Sequence, residues 1–140
     1  KSIHGEALPL DNGGNASRDF IFVDDIIKGL VACATNGYPG EAYNLASGKE
    51  TTILNLAHEV NHLTGNKTPL DLKPARDWDR SGKRFGSTEK SQSQLGFKAD
   101  VTISEGLRRT VEWTQAHTDM IERTIANHDL MMKQLARAEH

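Results

Sequence analysis

Ser17-Arg18-Asp19-Phe20-Ile21-Phe22-Val23-Asp24-Asp25 is the stretch that decides how this 140-residue chain is read. From Arg18 to Val23 the aromatic and β-branched residues predict a strand, with Phe20 and Phe22 on one face and Ile21 and Val23 on the other. Asp24 and Asp25 then stand where a helix N-cap and a first-turn acid belong, since both offset the unpaired N–H groups and positive end of a helix. The helix that follows carries Ile26, Ile27, Leu30, Val31 and Ala34 on one broad face and stops at Asn36-Gly37. Cys33 lies within it and reads as a small buried thiol.

Working outward, Glu41 to Leu45 reads as a second short strand closed by Ser47-Gly48. Thr51 or Thr52 caps a helix whose apolar set is Ile53, Leu56, Ala57, Val60 and Leu63, ending at Gly65. Pro69 to Leu72 reads as an edge strand because of its proline. Lys73 to Lys90 shows little periodicity but is basic, and Arg76, Arg80 and Lys83 are read as loop charges that strengthen the local field. Ser87 or Thr88 caps a short helical piece ending at Leu95-Gly96-Phe97, and a longer helix spans Ser104 to Gln115. In the tail from Thr118 to His140, Ile121, Ile125, His128, Met132 and Leu135 form a heptad-like seam. Helices alternate with short strands, so the fold class is α/β.

Composition narrows the function. The length suits one ordinary domain, and 17 basic against 19 acidic residues give a formal net charge of -2. That excludes the uniformly basic footprint of a nucleic-acid-binding domain. A single cysteine excludes a disulfide framework and any Cys-based zinc module. No apolar run approaches the roughly 18 residues of a membrane span, and no signal peptide is visible, so a cytoplasmic protein with no membrane partner is expected.

One motif suggests metal chemistry. His58-Glu59-Val60-Asn61-His62, followed by Gly65, matches the H-E-x-x-H-x-x-G pattern in which two histidines one turn apart bind zinc and the glutamate activates water. Against it, the position of a third ligand is Thr68, and His58 and His62 fall on the side of the helix away from its apolar face. An exposed polar face is the favoured reading, with a zinc hydrolase as the remote alternative and no metal ligands expected. The sequence contains no G-x-G-x-x-G, no G-x-x-x-x-G-K and no Tyr-x-x-x-Lys, hence no catalytic set and no cofactor-binding residues of its own.

An ordered set of segments carries a family signature. Gly5-Glu6-Ala7-Leu8-Pro9-Leu10, the turn through Gly14 and the stretch 17–25 resemble the G-x-P-L-x-V-Y-G-x-G-x-x-x-R-D-F-I-Y-V-D-D run of the extended short-chain dehydrogenases. These are the NAD-dependent nucleotide-sugar epimerases and dehydratases, such as UDP-glucose 4-epimerase and dTDP-glucose 4,6-dehydratase. Tyr43-Asn44-Leu45-Ala46-Ser47-Gly48 is similar to the family's Y-N-I-G-S-G. Arg84, Lys90, Leu95-Gly96-Phe97 and Glu105 to Trp113 follow in the family's order.

The resemblance implies the C-terminal, substrate-binding portion of such an enzyme over residues 1–116, a small helical and short-stranded lobe, with residues 117–140 as a helical extension. Its Rossmann-type N-terminal domain, with the glycine motif and the catalytic Tyr and Lys, would be a missing partner. NAD would serve the parent enzyme and would not bind this segment alone. By motif position Arg18 and Arg84 match the family's diphosphate-binding arginines, and Leu8, Pro9 and Leu10 match its nucleotide-base region. Apart from the resemblance, Arg18 reads as half of an ion pair and Arg84 as a solvated charge. A nucleotide-diphosphate sugar is the implied ligand and a second copy of the chain an expected partner; a stand-alone binding or oligomerisation module is the alternative. The position where the family has an aromatic near the base is Asp11, and the acid expected three residues after Arg84 is Ser87.

Overall fold

A computed structural model describes residues 1–78 and 82–138, with side chains through residue 133. Arg80 and the side chain of Leu135 therefore lie outside the described residues. The elements run β1 (Pro9–Leu10), β2 (Ser17–Asp19), α1 (Val23–Asn36), β3 (Glu50–Thr52), α2 (Ile53–Thr64), β4 (Asp71–Leu72), β5 (Lys83–Arg84), α3 (Glu89–Leu95), α4 (Ile103–Ala116) and α5 (Thr118–Ala138). The α/β class stands. β2 is the central strand of three, antiparallel to β3 and parallel to β5, while β1 and β4 form a separate parallel pair.

The helix signals hold where the cap is local. Thr52 Oγ1 accepts the Asn55 N–H at 3.1 Å to start α2, and Gly65 ends it at φ 69. Thr102 caps α4 in the same way, accepting the Glu105 N–H at 3.3 Å. In the first turn of α4, Arg108 and Arg109 bond the Glu105 carboxyl and hold it down at about 2.

The strand signals fail where a partner is lacking. The expected strand Arg18–Val23 closes at Asp19, because its antiparallel partner begins at Glu50 opposite that residue. Helix α1 starts at Val23 with Phe22 as N-cap, so Asp24 and Asp25 are both first-turn acids. Glu41–Leu45 joins no ladder among the described residues, and of Pro69–Leu72 only the last two residues pair, with β1. Conversely, the basic run that shows no periodicity holds β5.

The broad apolar face of α1 is the larger correction. Ile27, Leu30 and Val31 are 54%, 58% and 59% exposed, while the side of α1 facing the body carries Asp25 and Gly29. Packing explains the inversion. A Cβ on Gly29 would lie 2.8 Å from both Leu45 methyls and 3.0 Å from Phe97 Cε2, so only glycine admits that approach. Cys33, on the same helix, is half-buried rather than enclosed. The buried apolar residues among those described are Leu10, Ala57, Leu95 and Phe97. The chain exposes 10042 Å², against about 7,200 Å² for a compact monomer of its 15.4 kDa.

Asp25 ties this thin body together. Its fully buried carboxylate accepts the Asp100 and Val101 N–H groups at 3.0 and 2.8 Å and the Lys28 ammonium at 3.1 Å. Burial pushes its pKa up, but those bonds outweigh burial and leave it below the ordinary carboxylate value. A depressed carboxyl contributes stability above its unfolded-state pKa and loses it as pH falls through the folded one. Urea unfolding should therefore show stability declining on acidification below the ordinary carboxylate range. Asp25→Ala should flatten that decline and cost about 3 kcal/mol at neutral pH, since two buried N–H groups lose their acceptor.

Candidate functional site

A concavity with polar and charged lining opens on β2 and β5. Arg18, Asp19, Tyr43, Asn44, Leu45, Lys83, Arg84 and Phe85 are among its lining residues. Arg18 and Arg84 are register partners on adjacent parallel strands, which places their side chains on the same face of the sheet about 4.8 Å apart at the backbone. The structure thus brings together the two arginines singled out in the sequence. Arg18 Nη1 donates to the Ser17 carbonyl at 2.6 Å and the Gly82 carbonyl at 2.9 Å, so backbone acceptors help to fix its direction. The Arg84 side chain is exposed and has no ion-pair or hydrogen-bond partner among the described residues. Its strand register supplies an order that a solvated loop charge would lack.

The neighbouring charges are already engaged. Ser17 is buried, and its hydroxyl donates to Glu50 Oε1 at 2.6 Å. That bond, and Lys83 at 3.4 Å, hold the Glu50 carboxyl below its ordinary value. Asp19 accepts from Ser47 N at 2.9 Å, Ser47 Oγ at 2.6 Å and Gly48 N at 2.8 Å. One carboxylate therefore fastens the Ser47-Gly48 turn to the strand that carries Arg18, which fixes the wall formed by Tyr43 to Ala46. Asn44 Nδ2 donates to the Ser87 carbonyl at 3.2 Å and ties that wall to the segment after Arg84. Lys90 pairs with Glu41 at 2.5 Å and lies 4.9 Å above the Tyr43 ring, a bracing role.

Asp19 was missed as a site residue. The available signal was its place between Arg18 and a hydrophobic run, with a Ser-Gly turn 28 residues on that needs an acceptor for its N–H groups.

The other named residues are elsewhere. Leu10 is buried in the core, Leu8 lines an apolar depression beside Val60 and Leu107, and Pro9 is exposed on β1. None of the three lines the two-arginine groove. Asp11 is ion-paired with Arg76, whose guanidinium lies 5.3 Å from the Trp78 ring centroid. His58 and His62 are exposed on α2, and among the described residues no group of three His, Cys, Asp or Glu side chains gathers there. The starts of α1, α2 and α4 follow Phe22, Thr52 and Thr102 rather than a glycine-rich turn, so these residues do not fit a dinucleotide pyrophosphate.

Comparison with known proteins gives a consistent answer. The family model of the NAD dependent epimerase/dehydratase family matches residues 1–46. dTDP-glucose 4,6-dehydratase of Escherichia coli is 30% identical over 129 residues, which cover 86% of this chain and 36% of the relative. The crystal structure of the Bordetella bronchiseptica enzyme WbmF in complex with NADH matches at 56% identity and a TM-score of 0.82, covering 92% of this chain and 38% of that one. The same enzyme in complex with NAD+ and UDP matches at 54% identity and a TM-score of 0.81. The chain spans a little over a third of the length of these relatives. The fold is that of a lobe of the Rossmann-type, extended short-chain dehydrogenases. Over most of its length the chain is similar to members of their NAD-dependent epimerase/dehydratase family.

Two outcomes are expected. Replacing Asp19 with Ala should raise amide exchange at Ser47 and Gly48 by about tenfold, since each N–H loses a charged acceptor worth on the order of 1.5 kcal/mol; exchange measured by NMR checks it. Metal analysis after dialysis should find zinc well below one per chain, unchanged by His58→Ala.

Proposed function

We propose that this chain is the substrate-binding, C-terminal part of an NAD-dependent nucleotide-sugar epimerase or dehydratase, with residues 1–116 forming the lobe and 117–140 a helical extension. The observation that carries this reading is the register of Arg18 with Arg84 on adjoining parallel strands, both lining one groove. A diphosphate places its negative oxygens within a few ångströms of one another. Two planar guanidinium groups on one sheet face meet such a group with charge-assisted, fork-like hydrogen bonds. Tyr43, Leu45 and Phe85 offer apolar contact to the rest of a nucleotide or sugar. Two of the similar structures hold such ligands, WbmF in complex with NAD+ and UDP and the Thermotoga maritima UDP-glucose 4-epimerase with UDP-glucose.

In the parent reaction NAD supplies hydride transfer to and from the sugar. This chain's residues do none of that chemistry: they hold the diphosphate and thereby position the sugar for a site on another domain. The bare side of α1 supports such a domain as partner. Val23, Ile27, Leu30 and Val31 form an exposed apolar face, and Glu41 to Leu45, a strand by pattern, has no ladder among the described residues. A sheet edge packed there would supply both missing contacts.

Calorimetry with UDP and with dTDP tests the reading. Arg84→Ala should weaken the better ligand by about 10- to 100-fold, and Arg84→Lys less, because the ammonium keeps the charge but loses the fork. NAD titrated into the same chain should give no heat. Unchanged nucleotide affinity in Arg84→Ala would remove the proposal.

A further inference from the structure

Residues 43–46 form one wall of the two-arginine groove, yet no backbone ladder holds them among the described residues. Side chains hold them instead. At one end Lys90 bonds the Glu41 carboxyl and donates to the Ala42 carbonyl at 3.0 Å. The Tyr43 hydroxyl accepts from the Tyr38 N–H and donates to Gln94 Oε1, both at 3.0 Å. In the middle Asn44 reaches the Ser87 carbonyl. All of these bonds are exposed, where water competes for both partners and a pair holds weakly. At the other end the Asp19 carboxylate takes three donors from Ser47 and Gly48, two of them in part-buried bonds. These bonds are charge-assisted, and they tie the wall to the central strand β2.

An acid at position 19 runs against the local electrostatics. Asp19 stands opposite Glu50 in the β2–β3 register, and like charges directly opposite work against pairing. It also follows Arg18 and lines a groove read as a site for an anion, where a negative charge has the wrong sign. The turn accounts for it. Asp19 takes donors on both carboxylate oxygens, and an amide of the same shape has one acceptor oxygen and would set an N–H against an N–H.

We infer that Asp19 is a positioning residue for nucleotide binding. Acting through the Ser47-Gly48 turn, it holds Tyr43 and Leu45 against the organic part of a sugar nucleotide, while Arg18 and Arg84 hold the diphosphate. The inference rests on the two-arginine reading of the groove. It divides the site into two parts with different dependences. The arginine part is set by the register of β2 with β5 and does not need the wall. The wall part supplies the apolar contact and is lost when the turn is released.

Calorimetry of the 140-residue chain with UDP-glucose and with inorganic pyrophosphate separates the two parts. The unaltered chain should bind UDP-glucose the more tightly. Asp19→Asn should weaken UDP-glucose about tenfold, the equivalent of one lost charged bond. It should leave pyrophosphate unchanged or tighter, because the charge removed is negative. A purely electrostatic role gives the opposite sign for UDP-glucose, and a general loosening of the sheet weakens both ligands alike. Either result overturns the inference, as does an unchanged affinity for UDP-glucose. If thermal unfolding shows that Asp19→Asn does not fold, Ser47→Ala decides in its place. That variant keeps the charge and removes one of the three bonds, so UDP-glucose alone should weaken about threefold; no change, or an equal loss for pyrophosphate, overturns the inference. The underlying reading fails separately. Arg84→Ala that leaves both ligands unchanged removes the two-arginine groove and this inference with it, whereas Arg84→Ala that weakens both, beside an Asp19→Asn that weakens neither, overturns the role of Asp19 alone.

Discussion

Asp25 is the constraint on which the arrangement of this chain rests. A carboxylate fully removed from water is tolerated only if its oxygens are bonded, and here two backbone N–H groups and an ammonium do so. Those N–H groups belong to Asp100 and Val101, 75 and 76 residues on and just before α4, so one side chain on α1 locates the start of that helix. Around it the apolar contacts are few but close. Phe22 packs onto Gly106, where a Cβ would lie 3.1 Å from the ring, while Leu45 and Phe97 meet Gly29. With α1 fixed in this way, its approach to the body is set by glycine and an acid rather than by its large aliphatic residues, which are left outward.

Bonded acceptors from distant segments also build the groove. Asp19 fastens the Ser47-Gly48 turn, Glu50 holds Ser17, and Asn44 reaches Ser87. Each bond joins a segment of one wall to the central strand or to the opposite wall, and none uses Arg84. The local acids are thus occupied in structure, and none of them neutralises Arg84 among the described residues. The ion pair of Asp11 with Arg76, outside this groove, removes two more charges from competition.

Surface area supplies the thermodynamic context. A chain that exposes far more area than a compact monomer of its mass has a small hydrophobic contribution per residue to set against conformational entropy. Two of the bare apolar faces are the aliphatic side of α1 and one side of α5. They differ in kind. The α1 face is the outward side of a helix whose other side packs on Leu45 and Phe97 through Gly29, whereas α5 continues directly from α4.

The amino-acid sequence alone determined what depends on neighbours along the chain. Thr52 and Gly65 bound α2, Gly96 closes α3, and Leu95 and Phe97 enter the core, because caps, left-handed glycines and apolar periodicity act within a turn or two. The ordered motifs, from Arg18-Asp19-Phe20 to Glu105-Gly106-Leu107, were equally legible, and they gave the family. Tertiary structure decided the rest. Phe20 to Phe22 ceased to be strand because no partner extends that far, Lys83-Arg84 became strand because β2 was beside it, and the apolar face of α1 turned outward. Leu8 and Leu10 went to packing rather than to the groove, while Asp19 entered it. The physical reason is the same in each case: a ladder, a buried carboxylate or a covered face is a relation between distant segments. Residue pattern states what a segment can bury or bond, and only the fold supplies the partner.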